Sequence, residues 1–113
     1  MYQVKEKDWK LFRQKLPLWQ EAHMDKLNQE YIRILQGEGN ASDKFWELEA
    51  RLHRDKKNVG VVADMRRSRM HSHLISLLLD DIIREEDLDG FSVERVETLK
   101  YVSGQYSQLA EQD

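Results

Sequence analysis

The sequence predicts an all-α protein, a small bundle of about four helices. Three observations carry that prediction. Proline occurs once and glycine five times in 113 residues, so helix breakers are sparse. Leu, Glu, Lys, Arg, Gln and Asp dominate, a composition that suits helices better than strands. Apolar residues recur three and four apart over long stretches, the period of one helical face. Hydrophobic residues at 40% against 35% charged leave enough apolar side chain to offset the entropy of folding. The length fits a single helical domain over residues 1–113.

The first helix is expected from Lys5, with Trp9, Phe12 and Leu16 at helical spacing. Proline suits a first turn but not a helix interior, so this first helix is predicted to be long and broken or kinked at Pro17. Beyond it Met24, Leu27, Tyr31, Ile34 and Leu35 share one face, with Glu21, Asp25, Gln29 and Arg33 away from it. Gly37, opening "GEGN", is the expected stop. The second helix is predicted in "NASDKFWELEARLHRDKKN", capped by Ser42 or Asp43, with Phe45, Leu48 and Leu52 as its buried stripe. Glu47 and Arg51 would add a surface pair worth only about 0.3–0.5 kcal/mol, so the stripe decides the helix. Asn58 and Gly60 then break the chain.

The third helix is expected over roughly Val61 to Ile83. At about 100° per residue, Val61, Met65, Ser68, Ser72, Ile75, Ser76 and Leu79 fall on one side. Serines at that spacing let another helix approach closely, each hydroxyl bonding back to a carbonyl one turn earlier. No ordered Ser, His and Asp set or nucleophile-elbow glycines accompany them, so serine catalysis is not expected. The opposite side carries Met70, Leu74, Leu77 and Leu78, which makes the second half of the helix apolar nearly all round and calls for partners on both sides. Those four, with Trp46, which lies off the main stripe of its own helix, are the candidate interface residues of a homodimer. After a loop at "REEDLDGFS", Ser92 is expected to cap a short last helix with Val93, Val96 and Leu99 or Lys100 in line. Residues 104–113 read either as a frayed tail or as an extension placing Tyr106 and Leu109 against the core. The expected packing residues are Trp9, Phe12, Trp19, Leu27, Tyr31, Phe45, Trp46, Leu48, Leu52, Ile75 and Leu79.

Several kinds of chemistry are excluded or disfavoured. Without cysteine there is no disulfide, thiol catalysis or Cys-based zinc site. The longest apolar run, "LISLLL", is far below the roughly 20 residues that span a bilayer, and "MYQVKEKDWK" lacks the apolar stretch of a signal peptide, so a cytoplasmic protein without membrane spans is expected. His71 and His73 point about 160° apart on a helix and cannot share a metal. They read as ordinary, partly exposed side chains, with His23 half-buried beside Trp19 and Leu27. In "EEDLDG", Glu85, Asp87, Asp89 and Gly90 imitate the start of a calcium loop, but its twelfth position falls on Val96, where a carboxylate is required. A polar turn permitted by Gly90 is the better reading. The neighbouring carboxylates Asp80 and Asp81, and Glu85 and Glu86, converge on no pocket signal. No catalytic, metal or cofactor-binding residue is assigned, and an enzyme is not expected.

The net charge of −3 opposes generic attraction to polyphosphate. A local basic cluster, Lys56, Lys57, Arg66, Arg67 and Arg69 with Arg54 nearby, supports an alternative function as a small nucleic-acid-associated regulator. Acidic residues are interspersed, and no helix-turn-helix break is present. The leading expectation is protein–protein association, including self-association as a dimer.

The segments "LPLWQEAHMDKLNQEYIRIL", "SDKFWELEARLHRDKK" and "DLDGFS" resemble a group of small helical proteins of Gram-positive bacteria. Members carry a DKFWELE-type segment, then a Met- and Arg-bearing helix and a DL-x-x-FS turn. The resemblance covers most of residues 8–100. It implies a small helical fold and brings no substrate, cofactor or catalytic residue with it.

Overall fold

The computed structural model describes residues 4–111. Among them are four α-helices, α1 (Glu6–Gln36), α2 (Ala41–Asp55), α3 (Met70–Leu79) and α4 (Val93–Glu111), with 3₁₀ turns at Arg67–Arg69 and Glu85–Leu88. The all-helical architecture and the long first helix are as expected. Helix α1 runs through Pro17 without a break. The missing Pro17 N–H removes one backbone bond, a defect of about 3 kcal/mol in a bare helix. Burial of Trp9, Phe12 and Leu16 along the same helix offsets it. The chain forms two compact units, one drawn from Met1–Trp19 with Asp64–Asp113 and the other from Gln20–Ala63.

The first unit has a dense core. Trp9, Phe12 and Leu16 of α1, Met70, Leu74, Leu77 and Leu78 of α3, Leu99 of α4, and Ile83, Leu88 and Phe91 of the α3–α4 connection are all buried. The α3 set follows i, i+4, i+7, i+8, one helical face turned inward. Each such side chain stabilises the fold by about 1.5–3 kcal/mol through removal from water. The Trp9 and Phe12 rings lie 6.1 Å apart at 23°, and Trp19 and Phe91 lie 6.5 Å apart at 27°.

Helix α3 stops on a Schellman motif built without glycine. The Asp81 N–H donates to the Leu78 carbonyl at 3.1 Å and the Ile82 N–H to the Leu77 carbonyl at 2.9 Å. That closure requires a left-handed residue, and Asp81 takes it at φ 57°. The following turn is fixed by Asp87, whose carboxylate accepts the Arg84 N–H at 2.8 Å. Lys15 Nζ donates to the Asp87 and Asp89 carbonyls at 3.5 and 3.3 Å. Gly90 turns the chain at φ 95°, and a Cβ there would lie 3.0 Å from Leu11 Cδ2. This is the polar turn that the sequence predicts.

The third and fourth helices differ from expectation. Helix α3 begins at Met70, not Val61, because residues 62–66 take no regular secondary structure. There Asp64 presents its carbonyl to His73, whose Nε2–H donates at 2.9 Å. Ser68 therefore sits in the 3₁₀ turn, and Ser68 and Ser72 are exposed, so the serine side faces out and the leucine side faces in. Ser72 Oγ does bond back to the Arg69 carbonyl, at 3.0 Å. Helix α4 is long, not short. It buries Leu99, exposes Val93, Tyr106 and Leu109, and continues as helix to Glu111. Residues 112 and 113 of the expected tail lie outside the described residues.

The second unit combines the later part of α1, α2 and the turn after it. Helix α2 starts after Asn40, earlier than a Ser42 or Asp43 cap would place it, and the Asn40 side chain makes no capping bond. Its inward line is Lys44, Leu48, Arg51 and Asp55, spaced i, i+4, i+7, i+11. The predicted stripe is thus turned by about a residue, and Phe45 and Leu52 are exposed. The cause is polar. Tyr31 Oη donates to Asp55 Oδ2 at 2.7 Å, and Arg51 lies 3.5 Å from both Glu30 and Asp55. These partners replace the expected Glu47–Arg51 pair. After α2, Asn58 Oδ1 accepts the Gly60 N–H at 2.7 Å, and Gln20 Nε2 donates to the Val59 carbonyl at 2.9 Å.

Candidate interaction surface and a buried polar network

Turning the polar line of α2 inward forces its aromatic residues outward. Phe45 and Trp46 are each 62% exposed, and their rings meet edge to face at 5.0 Å and 82°. Edge-to-face contact satisfies the ring quadrupoles but leaves most of both rings in water. Leu52 is also exposed. It borders a largely apolar groove of about 170 Å³ whose walls include Met24, Leu27, Tyr31 and Val61. Exposed charges along α2 separate by sign, with Asp43, Glu47 and Glu49 first and Arg54, Lys56 and Lys57 at and just beyond its end.

The floor of this surface is electrostatically fixed. Burial, then the hydrogen bond to Asp55, push the Tyr31 hydroxyl up to about 12, so it remains a donor. Burial acts to raise the Asp55 carboxyl as well. The hydrogen bonds from Tyr31 and Arg54 and the charge of Arg51 together outweigh burial and hold Asp55 below its ordinary 3.8.

Of the sequence-based interface residues, Trp46 lies on this exposed face. Met70, Leu74, Leu77 and Leu78 do not reach any surface a partner can use. Their own chain covers them, since all four are buried and α4 packs against α3.

The basic residues are distributed over both units. Arg66 pairs with Asp64 at 3.1 Å, and Arg67 with Glu6 at 2.8 Å while its Cζ lies 5.8 Å from the Trp9 ring centroid. Arg69 is exposed in the same unit. Lys56 and Lys57 belong to the second unit, where Lys57 Nζ donates to His53 Nε2 at 3.2 Å.

A second constellation escaped sequence reasoning. Asp8, His71, Ser92 and Arg95 are buried together in the first unit. The Ser92 N–H and hydroxyl each donate to the Asp8 carboxylate at 2.7 Å. Arg95 Nε lies 3.6 Å from Asp8 Oδ2, and Arg95 Nη1 donates to His71 Nδ1 at 2.7 Å. A guanidinium only donates, so Nδ1 must accept and the imidazole is neutral, protonated at Nε2. Burial, then the Arg95 charge, lower the His71 pKa below its ordinary 6.5. Ser92 precedes α4 as expected, but its hydroxyl serves Asp8, whose negative charge then lies at the positive end of the α4 dipole. His71 and His73 are both buried, not partly exposed, and make separate bonds. The signal for Asp8 was its place four residues before Phe12 and eight before Leu16, on the buried stripe of α1. Its partner Ser92 is 84 residues away, which local patterning cannot see.

Among the described residues, no group of three or more His, Cys, Asp or Glu side chains is placed to hold a metal ion. No helix among them is long and apolar enough to cross a membrane. Compared with protein-family models, curated proteins and solved structures, the chain matches none of them.

Proposed function

We propose that this protein is a non-enzymatic association module that binds protein surfaces, its own included, through the outward face of α2. The observation that carries this reading is the Phe45–Trp46 pair, two large aromatic side chains each 62% exposed on a helix whose Leu52, further along, lines an apolar groove. Leaving two such rings in water forgoes burial worth about 1.5–3 kcal/mol for a Phe-sized side chain. Aromatic anchors beside apolar pockets, flanked by charge, are the usual energetic centres of protein interfaces. The alternative, phosphate contacts by Lys56, Lys57, Arg66, Arg67 and Arg69, has less support, since Arg66 and Arg67 are already held by carboxylates.

The test is site-specific photo-crosslinking in cells. A benzophenone amino acid in place of Trp46 is expected to give a protein adduct, to this chain or another. The same group in place of exposed Lys10 is expected to give none. Equal crosslinking at both positions, or none at position 46, removes the reading.

A further inference from the structure

We propose that the partner on this face is α2 of a second copy, packed antiparallel, an inference that rests on the association reading above. Charge order chooses the occupant. The exposed charges of α2 run Asp43, Glu47, Glu49 and then Arg54, Lys56, Lys57. Lys44 and Asp55, which would blur the division, are half-buried and buried respectively. A helix dipole favours this order within one chain, acid first and base last. Dipole and side chains together make each end of α2 the electrostatic complement of the other end. A parallel pair would oppose like charges along its whole length, whereas an antiparallel pair sets each acidic half on a basic half and also opposes the dipoles favourably.

The apolar residues fit the same arrangement. Phe45 and Trp46 lie in the first half of α2, and Leu52 with its groove in the second. Reversing one helix brings the aromatic pair of one copy onto the Leu52 end of the other, twice over. That is the reciprocal contact of a two-fold interface. A single helix pair sits at the small end of specific interfaces, below about 1,200 Å², so a reversible, concentration-dependent dimer is the expected state.

Sedimentation equilibrium of the full chain across the micromolar range is expected to show a monomer–dimer equilibrium. Glu47→Lys with Glu49→Lys in one chain, and Lys56→Glu with Lys57→Glu in another, are each expected to weaken self-association about tenfold or more. A 1:1 mixture of the two is expected to recover it. Orientation is read independently by cysteine pairing, since the chain has no cysteine of its own. Glu47→Cys and Arg54→Cys chains, mixed under mild oxidation, are expected to form the 47–54 disulfide in preference to 47–47 and 54–54. A monomer at every concentration overturns the second-copy proposal, and a Trp46 photo-adduct to a different protein would then still uphold association. A dimer that traps 47–47 and 54–54 overturns the antiparallel arrangement alone.

Discussion

The two units of this chain treat their apolar residues in opposite ways. In the first, α1, α3, α4 and the connection between α3 and α4 cover one another, and the polar groups carried inside, Asp8, His71, Ser92 and Arg95, are bonded among themselves. In the second, Leu27 is the buried apolar residue among the described residues, and the inward line of α2 ends on Asp55, not on a hydrophobe. Its large apolar side chains, Ile32, Leu35, Phe45, Trp46 and Leu52, remain in contact with water. The difference teaches where stability and recognition reside. The first unit covers its own apolar residues, and the second leaves its aromatic pair and Leu52 exposed.

The largest effect is expected from the buried network. Asp8→Ala leaves Arg95 buried beside an empty acceptor position and is expected to cost about 3–5 kcal/mol, read as a lowered urea midpoint. Asp55→Ala in the second unit is expected to cost only about 1–2 kcal/mol, since its partners Arg54 and Arg51 can turn to water. Equal losses would dissolve the contrast. Leu74→Ala, which empties a fully buried site, is expected to cost about 2–5 kcal/mol, while Leu52→Ala is expected to stay within about 0.5 kcal/mol. Thermal melts of the two variants check this pair, and a large loss at Leu52 would mean that the second unit has a core of its own.

Acid is expected to separate the units in sequence. The His71 pKa is lowered in the fold, so above 6.5 both folded and unfolded chains hold the neutral ring and its contribution is intact. As pH falls below 6.5 the unfolded chain gains a proton the fold refuses, and stability declines by up to about 1.4 kcal/mol per pH unit until the folded value is reached. Asp55, held below 3.8, keeps its contribution down to that pH and loses it only beneath. Urea titrations from pH 7.5 to 5 should show the decline, and His71→Gln should flatten it. A decline that persists in that variant would assign it elsewhere. The smallest effect is a gain. Asp81→Gly relieves a left-handed aspartate at the end of α3 and is expected to stabilise by about 0.5–1 kcal/mol in the same melts.

Much of the architecture is legible in the sequence because helical periodicity is local. The stop of α1 before Gly37, the burial of Trp9, Phe12 and Leu27 and the bend at Gly90 all follow from residues a few positions apart. What escaped depends on distant partners. Phe45, Leu48 and Leu52 form as good a stripe as Lys44, Leu48, Arg51 and Asp55. The choice between them is made by Tyr31 and Glu30 on another helix. Likewise, the leucines of α3 satisfy a dimer seam or a core equally well by pattern, and Ile83, Leu88, Phe91 and Leu99 decide for the core. Trp46 kept its place among the interface candidates because its position off the main stripe left it in water whichever stripe turned inward.

Native-state amide hydrogen exchange at two protein concentrations tests the central claim, a first unit that covers its own core and a second that leaves an apolar face of α2 exposed. In dilute solution the amides of Leu74, Leu77, Leu78 and Leu99 should exchange only through global unfolding, and those of Glu49 to Leu52 in α2 much faster. At high concentration the α2 amides should slow while the α3 and α4 amides keep their rates. Protection of α2 equal to that of α3 in dilute solution, with no change on concentration, would contradict the account.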